Sequence, residues 1–116
     1  MRRRGDIPAF DLVFLGMGED GHTASLFPST RALEERQRLV AMNDVPQKNT
    51  QRMTFTYPLI NAAERVWALI AGADKHAMVA RWRDARVRAD HPVPILSVSP
   101  AGELVWWLDE AASSGA

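Results

Sequence analysis

The densest chemistry in this chain lies in one short segment, Gly16-Met17-Gly18-Glu19-Asp20-Gly21-His22. Glycine lets a backbone turn sharply, so the acid at Asp20 and the imidazole at His22, two residues apart, can meet. A carboxylate beside an imidazole fixes its tautomer and raises its basicity. With an unperturbed pKa close to neutral, such a histidine is suited to act as a general base. The plain alternative is a glycine turn with a solvated acidic tip and a surface histidine. Two cations stand out elsewhere. Lys75 follows Gly72-Ala73-Asp74 at an expected helix start, where free N–H groups and a positive dipole end favour an anion. Its alternative is a solvated lysine beside an Asp74 cap. Arg52 precedes an expected strand and is a second candidate for an anion, against an exposed loop arginine.

Gly16, Gly18 and Gly21 also match the Gly-x-Gly-x-x-Gly spacing of a dinucleotide site. The residues between them argue against that use. Glu19 and Asp20 set two carboxylates where a pyrophosphate needs bare amides, and Pro28 stops any helix opened at Gly21 after about two turns.

Buried strands in α/β proteins present these loops. Leu12–Leu15 and Val66–Ala71 are uninterrupted apolar runs, as expected of strands in a parallel sheet. Leu39–Met42, Met53–Thr56, Ile95–Val98 and Leu104–Leu108 are further expected strands. A helical turn is expected over Thr23–Phe27, a short helix over Ser29–Arg36, a loop over Asn43–Gln51, and a turn opened by Pro58. After Gly72 a helix should set Met78, Val79, Trp82 and Ala85 on one face. Ala111–Ala116 is expected to fray. Strands alternating with short helices predict an α/β fold with a mostly parallel sheet flanked by helices, Rossmann-like and three-layered, and a single domain over residues 1–116. Ligands in such folds lie beyond the carboxyl ends of the strands, where Gly16–His22 and Gly72–Lys75 fall.

The stretch Asp11-Leu12-Val13-Phe14-Leu15-Gly16-Met17-Gly18-Glu19-Asp20-Gly21-His22-Thr23-Ala24-Ser25-Leu26-Phe27-Pro28 resembles the signature of 6-phosphogluconolactonases. Downstream, Arg52-Met53-Thr54-Phe55-Thr56 resembles that family's Arg-x-Thr-x-Thr strand. Asn61-Ala62-Ala63, Gly72-Ala73-Asp74-Lys75 and Leu104–Asp109 follow in the family's order, and Ser29 replaces a glycine common after the proline. The resemblance implies hydrolysis of 6-phosphoglucono-δ-lactone to 6-phosphogluconate in the oxidative pentose phosphate pathway, without metal or cofactor. It implies His22 as the base that activates water, with Asp20 as its orienting neighbour, and it favours Lys75 as a phosphate contact, while Arg52 stays a second candidate anion ligand beside the glycine loop. Glucosamine-6-phosphate deaminase carries a similar Asp-Gly-His loop, but with a glutamate before the proline. Phe27 stands there instead and cannot shuttle a proton for ring opening.

Family members are about twice this length, and the chain resembles their carboxyl-terminal half. Nothing like the Gly-Gly-Ser-Thr-Pro phosphate loop of their amino-terminal half occurs. A carboxyl-terminal fragment, an internal start, or a surface supplied by another copy are the readings this leaves. A non-catalytic sugar-phosphate-binding module, or an inactive truncated fragment, is the alternative to an enzyme. A sheet lacking its other half should expose apolar surface, so homo-oligomers are expected.

Composition narrows the remaining classes. At 116 residues, 47% apolar and 24% charged, the chain falls in the range of ordinary globular domains. Fourteen basic residues balance fourteen acidic ones, which leaves no broad basic field for nucleic acid. The arginines at 81, 83, 86 and 88 are expected to form a solvated helix face, with RNA contact the open alternative. The absence of cysteine excludes a disulfide framework, a thiolate metal site and a cysteine nucleophile. His76 and His91 have no metal-ligand spacing with His22. No run is long enough to span a membrane, and the basic start lacks a signal-peptide core, so a cytoplasmic protein is expected.

Overall fold

The apolar runs at Val13 and Val66 form neighbouring strands of one parallel sheet. In the computed structural model, which describes residues 2–86 and 93–115, β1 (Arg2–Arg4) and β2 (Ile7–Ala9) make a small antiparallel hairpin. Strand β3 (Val13–Leu15) follows, then the antiparallel pair β4 (Val40–Val45) and β5 (Thr50–Phe55). Helix α1 (Tyr57–Asn61) leads to β6 (Arg65–Ile70), α2 (His76–Arg83), β7 (Glu103–Leu108) and α3 (Glu110–Ser114). The central sheet has the order β3-β6-β7, all parallel, with Val13 opposite Val66 and Val66 opposite Leu104. The α/β class with a parallel sheet is therefore as expected. Arg88, His91 and Ala116 lie outside the described residues.

Side chains alternate across a pleated strand. Val13, Leu15, Val66, Ala68 and Ile70 share one face and are buried. Tyr57 and Ile60 of α1 join Val13, Leu15 and Val66 in one apolar cluster; Met78 and Val79 of α2 join Ala68 and Ile70 in another. The opposite face carries Phe14, Leu69 and Trp107, which are 61%, 48% and 50% exposed. Burial on both sides is the expectation for such runs; among the described residues, helices cover one side only. Trp106 and Trp107 point to opposite faces as the pleat requires. Trp106 stacks on Trp82 at 4.2 Å between ring centroids.

Several local expectations are corrected. Thr23–Phe27 is a tight turn closed by a Thr23–Leu26 bridge, with Ala24 at φ 50°, because the Ser25 amide is drawn to Thr54 Oγ1. Ser29–Arg36 shortens to a 3-10 turn, Arg31–Glu34, since the Thr30 hydroxyl bonds to the Phe27 carbonyl and does not cap a helix. The expected loop Asn43–Gln51 is mostly strand, joined by a 3-10 turn at Pro46–Lys48 with Asn49 at φ 49°. Ile95–Val98 is no strand. Pro94 opens a 3-10 turn there, and the Ile95 amide bonds to the Gly21 carbonyl. The tail is not frayed over Glu110–Ser114: Asp109 accepts from the Ala112 amide, Ala112 is buried, and Gly115 closes the helix at φ 78°. Ala85 lies past the end of α2 and is exposed. Arg83 is not merely solvated, since it bonds to the Ser113 carbonyl and hydroxyl. Among the described residues, no helix is long and apolar enough to cross a membrane.

Candidate active site

Strand β3 ends at Leu15, and the chain turns through Gly16–His22 at its carboxyl end. Gly21 adopts φ 82°, and a Cβ there would sit 2.6 Å from a Val93 methyl. The Gly21 amide bonds to the Gly18 carbonyl and the Gly18 amide to the His22 carbonyl, both at 2.9 Å. This closed turn brings Asp20 Oδ1 to 2.6 Å from His22 Nδ1 and to 3.0 Å from the His22 amide. An ionised carboxylate only accepts, so Nδ1 carries the proton and donates it, and the lone pair remains on Nε2. The imidazole occupies the space that a Cβ on Gly18 would take: it would fall 2.1 Å from Cε1 and Nδ1. Gly18 and Gly21 are thus demanded by geometry. Gly16 is not, since a Cβ there meets nothing within 4 Å. Its carbonyl instead accepts from Thr23 Oγ1 at 2.7 Å.

Burial pushes the Asp20 carboxyl up, but the His22 amide and imidazole together outweigh it and hold the group below its ordinary value of 3.8. The histidine is 28% exposed in its side chain. It opens onto a cleft of about 410 Å³ with Gly16, Met17, Gly18, Thr23 and Ala24 on its walls. A larger cleft of about 510 Å³ is lined by Pro28, Arg36, Tyr57 and Pro94 among others, and contains neither His22 nor Asp20.

Arg52 and Lys75 stand in different relations to this loop. Arg52 lies on β5 opposite Asn43, and its guanidinium carbon is 6.0 Å from the centre of the Phe27 ring. That ring in turn stacks on His22, with centroids 4.1 Å apart. Lys75 ends the 3-10 turn Ala73–Lys75 before α2, and its ammonium is 3.2 Å from Asp74. That hydrogen bond keeps the Asp74 carboxyl below its ordinary range. Asp109 anchors the same turn by accepting from the Gly72 amide.

Sequence reasoning missed the residues that brace the segment following the loop. Asn43, set down as a loop amide, is buried in β4. Its Nδ2 donates to the Ser25 carbonyl and Thr30 Oγ1, and its Oδ1 accepts from the Ala32 amide. Thr54 Oγ1 accepts from the Ser25 amide. The alternation of Ala41, Asn43 and Val45 on one face was the available signal.

Residues 1–107 match the family described as glucosamine-6-phosphate isomerases/6-phosphogluconolactonase. The chain belongs to this family. It is 46% identical over 110 residues to a 6-phosphogluconolactonase of Nostoc sp., covering 95% of this chain and 45% of that protein. The human 6-phosphogluconolactonase is 44% identical over 113 residues, with 95% and 43% covered. The crystal structure of 6-phosphogluconolactonase from Leishmania guyanensis superposes with a TM-score of 0.79 at 31% identity, over 94% of this chain and 42% of that one. The chain thus spans less than half the length of these family relatives and resembles their carboxyl-terminal half.

Proposed function

We propose that this chain carries the acid–base half of a 6-phosphogluconolactonase site. The observation that carries the reading is the 2.6 Å contact between Asp20 and His22 Nδ1, which leaves Nε2 as the basic atom beside an open cleft. Nε2 takes a proton from water as the water oxygen bonds to the lactone carbonyl carbon. The tetrahedral intermediate then collapses with cleavage of the bond to the ring oxygen. The imidazolium returns the proton to that oxygen, giving 6-phosphogluconate. Asp20 holds the tautomer throughout. Gly16, Gly18 and Gly21 shape the loop against the substrate. Arg52 and Lys75 are the cations proposed for the phosphate, Arg52 meeting the ring of Phe27 that stacks on His22. Phe27 also speaks against a deaminase, for it offers no carboxylate for ring opening.

The test is lactone hydrolysis by this chain with the amino-terminal half of a full-length relative added, corrected for spontaneous opening. His22→Ala should lower turnover by about a hundredfold or more. Activity within a few-fold of wild type would end the assignment. The short span relative to the relatives favours a second reading, a module that binds sugar phosphate without turning it over. Binding of 6-phosphogluconate with no hydrolysis in the complemented mixture would support it.

Residues 1–116 act as one domain in this proposal, in the cytoplasm, and the isolated chain self-associates through the exposed face of Phe14, Leu69 and Trp107. Sedimentation should show species larger than a monomer. A strictly monomeric chain at high concentration would overturn the self-association.

A further inference from the structure

Leu26 and Phe27 are adjacent and both almost fully buried, yet they serve different parts of the molecule. Leu26 enters the apolar cluster with Val13, Leu15 and Val66. Phe27, at 1% exposed, belongs to neither apolar cluster. Its ring lies instead against the imidazole of His22, 4.1 Å between centroids and 18° from parallel, with the Arg52 guanidinium carbon 6.0 Å from its centre. The turn through Ala24 at φ 50°, held by Asn43 and Thr54, is what swings the ring onto the histidine.

We propose that Phe27 is the positioning residue of His22: its ring fixes the plane of the imidazole so that Nε2 stays aimed into the cleft. The inference rests on His22 being the base. The Asp20 bond alone leaves the imidazole free to rock about the line through Nδ1. Gly18, with no side chain, leaves the space beside Cε1 and Nδ1 open to the ring, and the parallel Phe27 ring limits the swing from its own side. The ring also presents its electron-rich face to the imidazolium formed during the reaction, a favourable cation–π contact. A branched aliphatic side chain of similar volume fills the space but supplies neither the flat surface nor that electrostatic contact.

The test is the His22 ring itself, read by proton–nitrogen NMR in the intact chain, for wild type, Phe27→Leu and Phe27→Tyr. In wild type the carbon-bound protons of His22 should be shifted upfield by the stacked ring, with one tautomer protonated at Nδ1. Phe27→Leu should lose the upfield shift and show mixed tautomers or exchange broadening, while Phe27→Tyr should keep the wild-type pattern. In the complemented lactonase assay, Phe27→Leu should reduce kcat by about tenfold with KM little changed, and Phe27→Tyr should restore it. A wild-type His22 without ring-current shift, or a Phe27→Leu protein with the wild-type tautomer and kcat, would overturn the proposal. The wild-type spectrum decides even where Phe27→Leu fails to fold. The two readings separate cleanly: an active His22→Ala protein sinks the base assignment, whereas an inactive one beside an unaffected Phe27→Leu sinks only the role of Phe27.

Discussion

The two faces of the central sheet are built from the same kinds of residue and have opposite fates. On one, Val13, Leu15, Val66, Ala68 and Ile70 are sealed beneath α1 and α2. On the other, Phe14, Leu69 and Trp107 stand in solvent. Hydrophobicity drives burial only where another layer exists to receive it. The covered face also supports the candidate site: the loop carrying Asp20 and His22 leaves the end of β3, and Leu26, a few residues on, locks into the sealed cluster. The exposed face supports nothing among the described residues.

The largest expected difference follows from cutting one leucine on each face. Leu15→Ala should cost about 2–5 kcal/mol of unfolding free energy, as a buried truncation leaves a cavity. Leu69→Ala, half in water already, should cost about 1 kcal/mol or less. Urea unfolding at low protein concentration checks the pair. Equal losses would break the comparison and mean that both faces are covered in solution.

A smaller effect sharpens the electrostatics of the covered side. The Asp20 carboxyl is held below 3.8 in the folded chain. A depressed carboxyl contributes stability that is fully present above its ordinary value and lost as pH falls through the lowered one. The advantage of wild type over Asp20→Asn in thermal unfolding should therefore persist from neutral pH down to about 4. The difference should shrink only in more acidic solution. A gap that closes already between pH 7 and 5 would contradict the Asp20–His22 geometry.

The smallest effect concerns Ser29, which adopts φ 62° on the exposed side of the turn after Pro28. That left-handed backbone costs a side chain about 1–2 kcal/mol. Ser29→Gly relieves it but loosens the unfolded chain, so a net gain of up to about 1 kcal/mol is expected. Differential melting against wild type measures it, and a loss of stability would refute the strain.

What was legible in the sequence was what depends on near neighbours. Asp20 and His22 are two residues apart, so a glycine turn suffices to join them. The strands at Val13, Val66 and Leu104 announce themselves by apolar runs. The stack of Phe27 on His22 was hidden because it needs Ala24 in a backbone region that its type does not suggest. The reach of Arg52 to Phe27 depends on a hairpin whose turn, Pro46–Lys48, reads in sequence as part of a longer loop. In the tail the signals are in the sequence: Asp109 as a cap and Gly115 as a stop bracket the closing helix. At Ile95–Val98 the apolar pattern favoured a strand, and Pro94 with the Gly21 carbonyl decided for a tight turn.

The four tryptophans fall into two pairs, one on each side of the sheet. Trp82 and Trp106 lie nearly parallel at 4.2 Å on the covered side, and Trp67 and Trp107 meet edge to face at 5.2 Å on the exposed side. Indoles this close couple their electronic transitions, so each pair is an optical reporter of its own side. Solvent or a newly arrived protein surface changes the emission of Trp67 and Trp107, while the near-ultraviolet dichroism of the Trp82–Trp106 pair follows the integrity of the packed side. The chain thus carries, without any added label, separate spectroscopic channels for its unfolding and for whatever comes to cover it.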